Sequence, residues 1–284
     1  MKLRTGIRNT TRIALLGGAL AVSATTLQAN HPVLVEGNCN NPPPGDLAPP
    51  AGVPGTCGDY DGDGRIGAAE DTDGDRVFGT ITAANSAAGV NNNGSITIVT
   101  SGTFPETVTL TGNVTLQAAP GVDANIDAVL QGDPGSTARQ GQPGIIVNAP
   151  SNRYVVIRNI TSRNWTSGIQ VNGDSRVTIE SSRMEHNVNY GIEVNDDARV
   201  KVDKSEVIAT GFRLNPATGD FPTKNAPDPG IGISFEDRSR GAVYRTEVAG
   251  SFAAGIAGNA QVKDVYLFDN GDRGRSNDRG GDPR

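Results

Sequence analysis

Twelve consecutive residues carry the densest chemistry in the chain: Asp59-Tyr60-Asp61-Gly62-Asp63-Gly64-Arg65-Ile66-Gly67-Ala68-Ala69-Glu70. Their spacing is that of a calcium loop, D-x-[DN]-x-[DN]-G-x₅-E. Calcium takes six to eight hard oxygen ligands. Asp59, Asp61 and Asp63 converge from one side, and Gly64 permits the sharp turn. Arg65 offers its backbone carbonyl, and Glu70 can bind through both oxygens. Ile66 is the apolar residue that tucks such a loop onto a partner. A second run, Asp71-Thr72-Asp73-Gly74-Asp75, repeats the alternating acids. It has Arg76 where the loop needs Gly, and Thr82 where the twelfth position needs an acid. The expected cofactor is Ca2+, held by Asp59, Asp61, Asp63, Arg65 and Glu70, and in the second run by Asp71, Asp73 and Asp75. A solvated acidic linker is the plainer alternative, but it leaves the placement of Gly64 and Ile66 to chance.

Two other constellations could act on a ligand. The segment from Gly211 to Gly230 interrupts a repeat and leads into Gly232-Ile233-Ser234-Phe235. It would overhang Glu193 and Ser234, with Asp196 and Asp197 near. Glu193 and Asp220 form a carboxylate pair of the kind that does acid/base work on a glycosidic bond. An ordinary charged surface loop is the competing reading, and no recognisable catalytic signature accompanies it. Arg153, Arg176 and Arg199 recur every 23 residues, and Arg240 follows 41 on. Asp174, Asp197 and Asp237 track them, which favours weak turn salt bridges over an anion-binding stripe. The only histidines are His31 and His186. His186 reads as a turn residue, since no paired nucleophile accompanies it.

These groups need a scaffold, and the sequence is periodic enough to specify one. A Gly-Ile step occurs at Gly144, Gly168, Gly191, Gly232 and Gly255, at intervals of 24, 23, 41 and 23. The long interval is one repeat plus an 18-residue insertion. A second strand keeps step: Tyr154-Val155-Val156-Ile157, Val177-Thr178-Ile179, Val200-Lys201-Val202, Ala242-Val243-Tyr244. Small polar residues Asn164, Asn187 and Ser251 each precede the Gly by four, with Thr210 at the same place before the insertion. Two strands per repeat and a turn ladder mark a stacked coil. The middle residues Gln170, Glu193, Ser234 and Ala257 should face outward.

The pattern resembles the right-handed parallel β-helix of the pectin-lyase-like superfamily. The acidic loop resembles those of EF-hands and dockerin-type modules. The resemblance implies an all-β solenoid with coils of about 23 residues over 78–270. A short helix within Ile81–Ala88 would cap its N-terminal end. In related β-helix lyases an Arg or Lys base and calcium-bound uronate carry the reaction, which makes Arg213 and Lys224 candidates by resemblance. A β-sandwich is the runner-up, but its hairpins would not recur at a fixed interval.

Composition sets the remaining limits. The chain has 284 residues, 37 of them Gly, and only 5% aromatics, which disfavours a helical bundle. Residues 1–29 read as a secretory signal: Lys2, Arg4, Arg8 and Arg12, an apolar stretch from Ile13 to Val22, and a small residue at Ala29. Its removal leaves 21 basic against 31 acidic residues, a net charge of -10 rather than -6. That balance argues against nucleic acid as a partner, and no later apolar run is long enough to span a membrane. Cys39 and Cys57 are expected to close the Pro-rich segment 30–58 by a disulfide, ahead of free thiols or a metal pair. The acidic loops occupy 59–77, and the polar tail 271–284 reads as disordered. The protein is expected to be secreted, periplasmic or on the cell surface. Its expected role is non-catalytic binding of polysaccharide or a cell-surface component. The alternatives are a polysaccharide lyase or glycoside hydrolase acting on an acidic glycan beside 211–230, and a periplasmic accessory protein.

Overall fold

The computed structural model describes residues 33–35, 77–86, 90, 92–99, 101–127, 142–211 and 230–271. The signal segment, Cys39 and Cys57, the acidic loops of 59–76, Arg213, Asp220 and Lys224 of the insertion, and the tail from 272 lie outside them.

Val, Ile and Thr dominate the repeats, and β-branched residues favour a pleated, half-buried surface. The described residues form three parallel sheets. The first stacks Val77–Phe78, Val33–Val35, Asn92–Ile98, Asn113–Ala118, Tyr154–Arg158, Arg176–Glu180, Arg199–Asp203, Arg240–Tyr244 and Ala260–Lys263. The second runs from Gly102–Phe104 through Ala124–Asp127, Ile160–Arg163, Arg183–Glu185, Glu206–Ile208 and Glu247–Ala249 to Tyr266–Phe268. The third runs from Val108–Leu110 through Ile145–Val147, Ser167–Val171, Tyr190–Val194 and Ile231–Phe235 to Ala254–Gly258. Each coil visits the sheets in that order, which makes a parallel β-helix. Val177 lies on Val200, a step of 23 residues. Each coil thus has three strands where the periodicity shows two. The missing strand is only three or four residues long, as at Arg183–Glu185 and Glu206–Ile208, where Met184 and Val207 alone are buried.

The interior is narrow and filled by rows of identical or similar side chains. Ile169, Ile192 and Ile233 stack in register and are fully buried. Beside this row the backbones approach closely. A Cβ on Gly191 would lie 2.7 Å from the Gly232 carbonyl oxygen, so the Gly of each Gly-Ile step is required by contact with the next coil. The corners between first and second sheets each place one residue in the left-handed region: Asn159, Ser181, Lys204, Arg245 and Asp264.

Register corrects two of the sequence ladders. Arg163 pairs with Glu185, so Trp165, not Asn164, occupies the rung beside Asn187. The Asn187 carboxamide accepts from the Trp165 N–H at 3.1 Å and donates to the Ser162 carbonyl at 3.1 Å. Asn164 instead turns to Asp127, donating at 2.8 Å. Likewise Tyr154, not Arg153, is the register partner of Arg176. Both slips have one cause: the coil that starts at Tyr154 is one residue shorter than the coil that starts at Arg176.

The helix Ile81–Ser86 lies at the N-terminal end and buries Ile81 and Ala84 completely. Thr80 Oγ1 accepts from the Ala83 N–H at 3.1 Å, and the two Glu106 oxygens accept from the Ile81 and Thr82 N–H groups at 2.8 Å each. First-turn donors that the helix cannot satisfy internally are thereby bonded. The strand Val33–Val35, from the segment read as a Pro-rich loop, joins the first sheet through the apolar pair Val33 and Val35, both fully buried.

Candidate functional site

The most polar organised surface lies on the third sheet and around its corner into the first. Gln170, Glu193, Ser234 and Ala257 stack in register, as the outward-facing reading requires. Glu193 is held by three donors: Ser167 Oγ at 2.7 Å, Gln170 Nε2 at 3.0 Å and Asn195 Nδ2 at 3.3 Å. Ser234 is covered rather than open, only 3% exposed, and donates to Glu236 at 3.2 Å. Tyr190 donates to the same Glu236 oxygen at 2.7 Å. Burial raises the Tyr190 phenol far above its ordinary pKa, and the bond to Glu236 and the charge of Glu193 push the same way. Tyr190 is therefore a neutral donor at any physiological pH.

Glu236 escaped the sequence reading. It occupies the corner position that Asn148, Asn172 and Asn195 hold in earlier coils, where the asparagines bond one another at 2.9 and 3.0 Å. The 41-residue interval from Asn195 was the available signal, masked because Glu replaces Asn in that row. Of the carboxylates proposed for catalysis, the structure places Glu193 next to Tyr190 and Glu236. Arg213, Asp220 and Lys224 fall outside the described residues. Both Glu193 oxygens are already engaged, so this group serves as a fixed acceptor. No group of three or more His, Cys, Asp or Glu is placed to hold a metal among the described residues.

Around the corner, the first strand position of the first sheet carries Tyr154, Arg176, Arg199 and Arg240 in register. The Arg176 guanidinium lies 5.6 Å from the Tyr154 ring centroid and donates to its hydroxyl at 2.8 Å. Arg199 and Arg240 are exposed, and neither side chain has a bonded partner among the described residues. Of the acids that track them in sequence, Asp197 is engaged elsewhere. Asp197 takes a two-point contact from Arg238, at 2.9 and 2.6 Å, and Asp196 accepts from the Gly173 N–H at 2.8 Å. Among the described residues, Arg176, Arg199 and Arg240 thus make no salt bridge to Asp174, Asp197 or Asp237. Like charges directly opposite on neighbouring strands destabilise a sheet, so this row carries a cost that packing does not explain.

His186 takes a left-handed corner position, half-buried, as the turn reading expects. Burial lowers its pKa, Arg183 and Arg163 act in the same direction, and Glu185 and Asp127 oppose.

The model of the family described as right handed beta helix region matches residues 78–214 and, in a second overlapping match, 143–279. The chain belongs to the right-handed β-helix family. No curated protein and no solved structure matches its sequence. In this β-helix the matched residues span every coil that carries the polar corner. No helix among the described residues is long and apolar enough to cross a membrane.

Proposed function

We propose that this β-helix is an exported, calcium-stabilised, non-catalytic binder of acidic carbohydrate. The glycan lies along the corner between third and first sheets. The observation that carries this reading is the in-register row Tyr154, Arg176, Arg199, Arg240, whose last two members lack a bonded partner among the described residues. Planar guanidinium groups match carboxylate and sulfate oxygens in pairs, and rungs about 4.8 Å apart offer a repeated contact to a repeating polymer. The neighbouring corner supplies Asn172, Asn195, Asp174 and Asp237, which suit sugar hydroxyls. A face that mixes cations with hydroxyl acceptors fits a sugar acid better than a polyphosphate.

The test is titration calorimetry with polyuronate, sulfated and neutral glycans. Binding of an acidic glycan that weakens about tenfold or more in the double variant Arg199→Ala, Arg240→Ala supports the reading. Equal binding by the variant sinks it. The calcium component is tested separately. The donor set of Asp59, Asp61, Asp63 and Glu70 fits a hard cation. Chelation should lower the melting temperature and added calcium restore it, whereas an unchanged melting curve would remove calcium from the account.

The second reading is an enzyme, a polysaccharide lyase or glycosidase. Glu193 and Glu236 on adjacent coils, both acting on Tyr190, favour it. Incubation with uronate polymers and calcium, followed by unsaturated-product absorbance and reducing ends, decides between them. Turnover abolished by Glu193→Gln would replace the binding reading.

A further inference from the structure

The last coil ends the solenoid with its interior uncovered. Ala254–Gly258, Ala260–Lys263 and Tyr266–Phe268 are the outermost strands of the three sheets. Val243, Val248 and Ile233 of the preceding coil are fully buried. Their register partners in the last coil are Val262, Leu267 and Ile256. Val262 is 47% exposed, and Leu267 and Ile256 are only partly covered. Tyr266 at 67% and Phe268 at 49% extend the apolar surface around the rim. Terminal repeats of solenoids ordinarily present a polar outer face, and open sheet edges are ordinarily blunted. This end instead exposes Val262, Tyr266 and Phe268.

We propose that the C-terminal end of the β-helix docks against the same end of a second copy of this chain, forming a closed two-fold dimer. Three observations select that occupant. Residues 272–284 contain Pro283 as their single apolar side chain, so they have nothing to lay over Val262 and Leu267. The opposite end is closed by the helix Ile81–Ser86, with Ile81 fully buried, so head-to-tail stacking of one copy on the next is blocked. An uncapped end that cannot meet a capped one can still meet its equal, and an isologous contact closes at two copies. The size also fits. A coil of 23 residues at ~3.3 Å per residue measures roughly 75 Å around. With its side chains the end covers on the order of 800 Å² per partner, as a standard interface does. Lys263 beside Asp264 and Asp269 gives the rim both signs of charge, so two such ends do not meet as like-charged surfaces.

Sedimentation equilibrium of the purified chain tests this across a concentration series. The expected result is a reversible monomer–dimer equilibrium with no larger species. Val262→Asp should weaken it by more than about tenfold, with the circular dichroism spectrum retained. A monomer at every concentration overturns the proposal, and so does a dimer that Val262→Asp leaves intact in a folded protein. Should that variant unfold, a second pair decides. Lys263→Cys, treated with a short bismaleimide, should give covalent dimer above the parent background. Thr103→Cys, exposed at the opposite end of the second sheet, should not. Cross-linking from Thr103 and not from Lys263 overturns the proposal. Chains of many copies overturn it as well, because they require a head-to-tail contact.

Discussion

The two ends of the solenoid face the same physical problem and meet it differently. At each end, three parallel sheets expose strand edges, and the interior rows of Val, Ile and Leu need a cover. At the N-terminal end the helix supplies one. Ile81 and Ala84 are fully buried, and the helix is anchored by Thr80 and both oxygens of Glu106. At the C-terminal end Val262 is 47% exposed although its register partner Val243 is fully buried. The same inward position is thus core or surface according to whether another layer follows. A solenoid coil has no core of its own and borrows half of it from each neighbour.

Paired substitutions should expose that asymmetry most strongly. Ile81→Ala should cost about 2–4 kcal/mol in denaturant unfolding, since a fully buried side chain leaves a cavity. Val262→Ala should cost below about 1 kcal/mol at concentrations where the chain is monomeric, because half its surface is already in water. Equal costs would mean that the two ends are equally covered. A smaller difference should follow from the anchors. Glu106→Gln leaves the cap one weaker acceptor and should cost about 0.5–1 kcal/mol. Amide exchange should report the same contrast without mutation. The Val262 and Leu267 amides should exchange at least about tenfold faster than those of Ile96 and Leu116. Equal protection across these four would erase the asymmetry.

How much of this was legible depended on whether a feature repeats at a constant interval. The Gly-Ile step was legible because each Gly sits against the next coil's backbone, a demand that recurs identically at Gly168, Gly191 and Gly232. The capping helix was legible from its Ala-rich run. The third strand of each coil was not, because a strand of three or four residues, with one inward residue at Arg183–Glu185, makes too little alternation. Register was not legible where one coil is a residue shorter. That is why Asn164 and Arg153 were aligned with rows that Trp165 and Tyr154 occupy. Glu236 was missed because the corner held by Asn148, Asn172 and Asn195 changes residue type to Glu there, so no repeated residue marks it. Glu193 was placed correctly on the outward row, but its restraint by Ser167, Gln170 and Asn195 comes from one neighbouring strand and a corner. Only the stacked structure brings those together.

The smallest expected effect concerns acid, and it too divides the ends. His186, Glu185 and Asp203 all lie in the C-terminal half, and all three have lowered pKa values in the folded chain. For His186 burial is the main cause. For Glu185 burial acts in the opposite direction, but the bonds and charges of Arg183 and Arg163 outweigh it. For Asp203 the bond from Arg245 comes first, burial opposes, and Lys201 adds to the lowering. A group with a depressed native pKa is protonated first in the unfolded chain, so its contribution is full above the unfolded pKa and is lost as pH falls toward the native one. His186 should therefore begin to withdraw stability below about pH 6.5, and the two carboxylates below about pH 4. His186→Asn isolates the upper step. Asn tolerates the left-handed corner that His186 occupies, so the fold should survive. Denaturant unfolding at about pH 7, 5.5 and 3.5 should show the variant losing the decline between the first two values while keeping the decline between the last two. A variant that still declines between pH 7 and 5.5 would assign the upper step to some other group. It would also break the argument that acid loosens the C-terminal half of the solenoid first.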